Sequence, residues 1–182
     1  MSTVNDDDDL LWRRALDNHD AQAFRALVAR HVRWVTAIIA CHCHDDAVAN
    51  IGTAVFQQAW RRLDEMPRQG STPFAHWLLD VTRHECRGHL HRNPGDRRKP
   101  PQLDQEDWMV PERIAEAALL SLPSTQRELI TAAQDGQQSY DRLCQIFHLR
   151  RPALERQLLQ ARQALAQSLT LQQQKILEVE GD

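Results

Sequence analysis

From Leu10 to Leu169 the apolar residues recur three and four places apart, the period that keeps them on one side of an α-helix. No stretch alternates as a half-buried strand does, so the chain can build a core only from packed helices. The clearest case is Asp45 to Leu63, where Val48, Ile51, Val55, Ala59 and Leu63 form one stripe and Phe56 and Trp60 widen it. Asp45 or Asp46 is suited to cap the first turn, since a carboxylate accepts from the unpaired N–H groups there. The opposite stripe reads Asp46, Asn50, Thr53 and Gln57, polar but nearly uncharged. Gly52 stands out, because an interior helical glycine costs about 1 kcal/mol relative to alanine.

The same period places further helices on both sides. Residues 1–9 are small and acidic and are expected to be a disordered arm. A short helix carries Leu11, Ala15 and Leu16, and a long one, capped by Asp20, carries Phe24, Leu27, Val28, His31, Val32, Val35 and Ile38. A loop is expected at Met66–Thr72, and a helix from Phe74 carries Trp77, Leu78, Val81 and Thr82 into the basic stretch RHECRGHLHR. Asn93–Pro101 holds three prolines, a glycine and four charges, which excludes regular structure. Beyond it, Ile114 to Leu122 form a helix, Pro123 opens the next, and Asp135-Gly136 closes it. Ser139 caps a short helix with Leu143 and Ile146 inward, and Leu149–Pro152 turns the chain tightly into a last helix. Leu154, Leu158, Ala161, Leu165 and Leu169 share one face of that helix. Two short helices joined by a few residues, the second starting with basic side chains, fit a helix-turn-helix.

The reading is all-α, with two small helical domains joined by an irregular linker. The boundaries are an acidic arm and short helix at 1–19, a first domain at 20–93, a linker at 94–111, a second domain at 112–170 and a tail at 171–182.

The chain carries 22 basic and 25 acidic residues, so no global excess of positive charge points to nucleic acid. Charge is segregated instead: Arg83, Arg87, Arg92, Arg97, Arg98 and Lys99 face only Glu85 and Asp96 in the stretch 83–99. No apolar run is long enough to cross a bilayer and no signal-peptide core is present, so a cytoplasmic protein is expected, without membrane contact and with its four cysteines reduced.

Three features combine in order: Asp-Ala with Phe56-x-x-x-Trp60, then Phe74-x-x-Trp77-Leu78 and a basic helix; Leu122-Pro123, with Ser139-Tyr140 opening the helix-turn-helix; and Gln160-Ala161-Arg162 with Leu165. In this order and spacing, over roughly residues 20–169, the chain resembles the extracytoplasmic-function sigma factors, which carry only the second and fourth sigma domains. The resemblance implies a non-enzymatic protein without cofactor that binds RNA polymerase core and directs it to promoters. The helix from Phe74 would face the minus-ten element, with Arg83, His84, Arg87 and Arg92 toward DNA; His84 stands where such factors often carry asparagine. The last helix would read the minus-thirty-five element with Arg151, Glu155, Arg156 and Gln157, near the end from which this motif reaches base edges. Trp77 reads as core rather than as a stacking platform, by its spacing from Phe74, Leu78 and Val81.

In this family the helix at 45–63 usually carries acidic residues and docks on the clamp helices of the largest polymerase subunit. Here the corresponding positions are Ala47, Ala49, Asn50 and Ala54, all uncharged. The polymerase-facing residues would be Asp46, Asn50, Thr53 and Gln57, a weak surface for a basic partner. A phosphate on Thr53 would add about −1.5 to −2 charges to that face. The resemblance extends to relatives that lack the acids and are switched on by a Ser/Thr protein kinase at a threonine in this helix. Against this stands an ordinary helical threonine bonded to its own backbone.

Two other readings stay open. One is a promoter-binding adaptor or repressor that lacks productive polymerase binding. The other is a metal or redox sensor built on Cys41, His42, Cys43 and His44 with His84, Cys86, His89 and His91, although neither cluster has the paired-cysteine spacing of a structural zinc site. No phosphate loop, nucleophile elbow or HExxH pair supports an enzyme.

Overall fold

Helical periodicity is met: the described residues form eight α-helices and no β-strand. The structure, a computed structural model, describes residues 5–66, 74–104, 106–107, 110–134 and 138–178. In order the helices are α1 (Asn5–Asp17), α2 (Ala21–Ala40), α3 (Asp45–Arg61), α4 (Phe74–Arg92), α5 (Pro111–Ser121), α6 (Ser124–Gln134), α7 (Tyr140–Phe147) and α8 (Arg151–Glu178). No described helix is long and apolar enough to cross a membrane.

Local chemistry sets most of the boundaries. Asp20 caps α2, its carboxylate accepting from the backbone N–H groups of Gln22 (2.9 Å) and Ala23 (3.0 Å). Ser139 caps α7 by accepting from the N–H of Arg142 at 3.1 Å. The turn into α8 passes through His148 in the left-handed region (φ 51°), whose N–H returns to Gln145 O and so closes α7.

Three expectations are corrected. The acidic run is not a disordered arm, because α1 begins at Asn5 and includes it. Carboxylates suit a helix N-terminus, and Asp8 is buried with three partners described below. The residue flanking the start of α3 is His44, without a side-chain cap, while Asp45 and Asp46 lie inside the first turn. That helix also stops at Arg61, and Leu63 is buried from a single 3₁₀ turn, Leu63–Glu65. Of the loop expected at Met66–Thr72 only Met66 is described, and Asp135-Gly136 lies outside the described residues.

The largest core joins α1 to α4. Leu27, Trp34, Val35, Ile38 and Ile39 of α2 meet Ile51 and Val55 of α3 and Phe74, Leu78 and Leu79 of α4. Trp77 is partly buried against this core. Two smaller cores belong to α5–α8, one around Leu129, Leu143, Leu154 and Leu158, the other around Leu122, Ile130 and Ala161. Ile146 departs from this division: it leaves α7 to sit, fully buried, in the core of α1–α4. The two groups of helices are therefore packed together along one seam.

Among the described residues of 94–110 the chain is irregular apart from a 3₁₀ turn at Pro94–Asp96 and short hydrogen-bonded bends. It is nonetheless fastened. Arg98 donates to the Ala40 carbonyl (3.1 Å) and pairs with Asp45 (3.1 Å) and Glu116 (2.7 Å).

Candidate functional site

The four residues read as polymerase-facing all emerge on one exposed side of α3: Asp46, Asn50, Thr53 and Gln57. With Asp45 tied to Arg98, Asp46 is the remaining carboxylate of that helix without a partner among the described residues. Thr53 donates to the Ala49 carbonyl at 2.9 Å, the bond of an ordinary helical threonine, yet its side chain stays exposed. Thr53 and Gln57 also stand on the rim of a groove of about 530 Å³ between α2 and α3. The groove is apolar, with Phe24, Val32, Phe56 and Trp60 in its walls, and Val32 (39%) and Trp60 (37%) are exposed in it. Gly52 lines it as well, facing Ile39 and Thr36 of α2.

The residues read as DNA-facing occupy two places. On α4, His84, Arg87 and Arg92 are exposed, whereas Arg83 is half-buried and already paired. At the start of α8, Arg151, Glu155, Arg156 and Gln157 are exposed together. Arg151 pairs with Glu155 at 3.1 Å and lies over the Tyr140 ring at 5.4 Å, which pre-sets its direction. Leu154 and Leu158, on the other side of α8, are buried.

Two buried polar clusters hold the seam. In the first, Glu128 of α6, only 2% exposed, accepts from Arg83 of α4 through Nε (3.1 Å) and Nη2 (2.6 Å) and meets His42 Nε2 at 2.7 Å. Burial alone would raise the Glu128 carboxyl, but the hydrogen bonds from His42 and Arg83 outweigh it and hold the group below the usual glutamate value. In the second, Asp8 of α1 accepts from Arg142 of α7 (2.5 Å) and Arg30 of α2 (2.9 Å) and meets His31 Nε2 at 3.2 Å. Trp34 Nε1 donates to His31 Nδ1 at 3.0 Å, so His31 carries its proton on Nε2, toward Asp8. Burial pushes the His31 imidazole down against the pull of Asp8, which keeps it neutral, while His31 and Arg142 overcome burial and hold Asp8 well below the carboxylate range. His76 Nδ1 lies 3.0 Å from the Ile146 carbonyl, and its ring stacks on His148 at 5.0 Å.

Sequence reasoning missed these pairings, though not every sign of them. His31 already falls within the apolar series of α2, and Arg142 lies one turn before inward-facing Ile146. Glu128 precedes the buried pair Leu129 and Ile130. A charged residue on an apolar face calls for a buried partner, but spacing does not say which.

The Cys/His clusters are dispersed by the same packing. His42 is taken by Glu128, His89 by Asp96 (2.7 Å) and Cys41 by Thr131 (3.1 Å). The buried thiols of Cys43 and Cys86 share a hydrogen bond, which with burial pushes Cys86 up. Among the described residues no group of three or more His, Cys, Asp or Glu is placed to hold a metal ion.

No protein-family model matches the chain, and no curated protein matches it in sequence. Solved structures do match in fold. CnrH, in complex with the cytosolic domain of CnrY, superposes with a TM-score of 0.63 at 24% identity, over 91% of this chain and 98% of that one. The sigma factor RpoE from Bartonella quintana, in complex with the anti-sigma factor NepR, superposes with a TM-score of 0.54 at 18% identity, over 82% of this chain and 98% of that one. At these identities the likeness is one of fold.

Proposed function

We propose that the chain is an alternative sigma factor of the extracytoplasmic-function type, acting in the cytoplasm, which binds RNA polymerase core and directs it to particular promoters. The observation that carries this reading is the fold shared with a sigma factor over 82% of this chain and 98% of that one. The order of the exposed surfaces supports it: a polar stripe with an apolar groove on α3, a basic α4, and a basic start to α8. On this reading α1–α4 form the unit that meets polymerase and the minus-ten element, and α5–α8 the unit that meets the minus-thirty-five element. The α7–α8 pair then acts as a helix-turn-helix. Arg83, His84, Arg87 and Arg92 contact DNA from α4, and Arg151, Glu155, Arg156 and Gln157 contact it from α8.

The polymerase-facing stripe of Asp46, Asn50, Thr53 and Gln57 is short of negative charge, and phosphorylation of Thr53 by a Ser/Thr kinase supplies it. Thr53 is exposed and lies at the mouth of the apolar groove, so a phosphate there adds charge beside an unfilled docking surface without being buried. The test is promoter activation by Thr53→Ala and Thr53→Glu proteins. Activation by the glutamate variant and none by the alanine variant is expected, and equal activation by both would end the kinase proposal.

A second reading, a DNA-binding adaptor or repressor without productive polymerase binding, is favoured by one observation. The exposed stripe of α3 offers a basic partner such as polymerase one unpaired carboxylate among the described residues, Asp46, because Asp45 is tied to Arg98. Under that reading neither Thr53 variant activates, and promoter occupancy by the protein lowers transcription.

A further inference from the structure

We infer that the cleft along the seam between α4 and α6 is a binding site for a small oligophosphate anion. This goes beyond the sigma-factor reading and does not depend on it. The cleft encloses about 620 Å³, and its walls come from α4, the 3₁₀ turn after it, and the N-terminal end of α6. Four arginines line it, Arg83, Arg87, Arg97 and Arg127, against the single carboxylate of Glu128, and Arg127 also donates through Nη1 to the Leu120 carbonyl at 2.8 Å. That carboxylate is already engaged by Arg83 and His42. Among the described residues neither Arg87 nor Arg97 has a side-chain partner, and the Nε of Arg127 is buried with none. Cations gathered around a shared cleft repel one another and favour a counter-anion, and guanidinium forks match phosphate oxygens in geometry.

The end of α6 adds donors of a second kind. Ser124 and Thr125 line the cleft from the first turn of an eleven-residue helix, where backbone N–H groups lack intrahelical partners. That turn holds no acidic residue to occupy them. Leu90 and Pro94 give the cleft an apolar side as well, so it has room for the ring of a nucleotide beside its phosphates. Because Arg87 and Arg97 precede α5 while Ser124, Thr125 and Arg127 belong to α6, a bound oligophosphate bridges the two groups of helices and holds them together.

The test is calorimetric titration of the purified full chain with inorganic tripolyphosphate and, separately, with a nucleoside triphosphate, at one low salt concentration. Saturable binding of one equivalent is expected, together with a rise in the thermal unfolding midpoint. Arg97→Glu and Thr125→Asp are each expected to weaken binding by about tenfold or more, as loss of one charge-assisted contact implies. Both side chains are exposed, and an aspartate in the first turn suits a helix, so these variants keep their fold by circular dichroism. Tighter binding of the nucleotide would assign the site to nucleotides and equal binding to free polyphosphate, and either supports the inference. Absence of saturable binding, or binding that both variants leave unchanged, overturns it. So does tight binding of a single-stranded oligodeoxynucleotide that tripolyphosphate cannot displace, because the arginines would then form part of a DNA track.

Discussion

Replacing Glu128 by glutamine tests whether the seam contributes to stability. The substitution keeps the side chain's shape while removing a carboxylate that is 2% exposed and bonded by Arg83 at 2.6 Å and His42 at 2.7 Å. Breaking a fully buried ion pair costs about 3–5 kcal/mol. The partners here keep some hydration, with side-chain exposures of 29% for Arg83 and 17% for His42, so the loss should be about 2–3 kcal/mol. Urea unfolding followed by circular dichroism at neutral pH measures it. The pH dependence supplies a second check. The Glu128 carboxyl is depressed below its ordinary value of 4.5 in the folded protein, so its stabilisation is complete above that value and is lost as pH falls through the lower folded value. The difference between the natural protein and the glutamine variant should therefore shrink in acid. A loss below about 0.5 kcal/mol at neutral pH, the scale of an inert surface change, would refute the reasoning.

Other substitutions probe separate parts of the structure. Ile146→Ala removes the side chain that α7 lends to the core of α1–α4, and should cost about 2–4 kcal/mol in the same assay. Gly52→Ala should stabilise by about 0.5–1 kcal/mol: the new methyl would meet Ile39 Cδ1 at 3.8 Å and Thr36 Cγ2 at 3.9 Å, ordinary contacts, while an interior helical glycine is removed. Asp20→Ala should cost about 1 kcal/mol, through loss of the acceptor for two N–H groups at the start of α2.

Much of this architecture can be read from spacing and from capping chemistry. The starts of α2, α6 and α7 follow from Asp20, Pro123 and Ser139, and the polar stripe of α3 is exposed as its period requires. What periodicity cannot carry is the identity of a partner. The spacing of Leu143 and Ile146 says that both point inward, yet Leu143 joins the small core around Leu154 while Ile146 crosses to the other group of helices. The acidic run illustrates the same limit. Locally it reads as a solvated arm, and the burial of Asp8 follows from partners on other helices, Arg30 and His31 of α2 and Arg142, 134 positions along the chain. Arg83 was legible as a cation on a basic helix, whereas the carboxylate that holds it lies on a helix beyond the linker. For the candidate site, residue types and exposure were readable, and the apolar groove beside Thr53 was not, because it is made by two helices together.

The most direct measurement is binding of core RNA polymerase by the purified protein, unmodified and phosphorylated at Thr53, at one fixed salt concentration. Tight binding after phosphorylation and weak binding before it is the expected result, since the phosphate restores charge to a stripe whose one unpartnered carboxylate is Asp46. Failure of both forms to bind would contradict the sigma-factor assignment. Equally tight binding by both would leave that assignment standing and remove Thr53 as its switch.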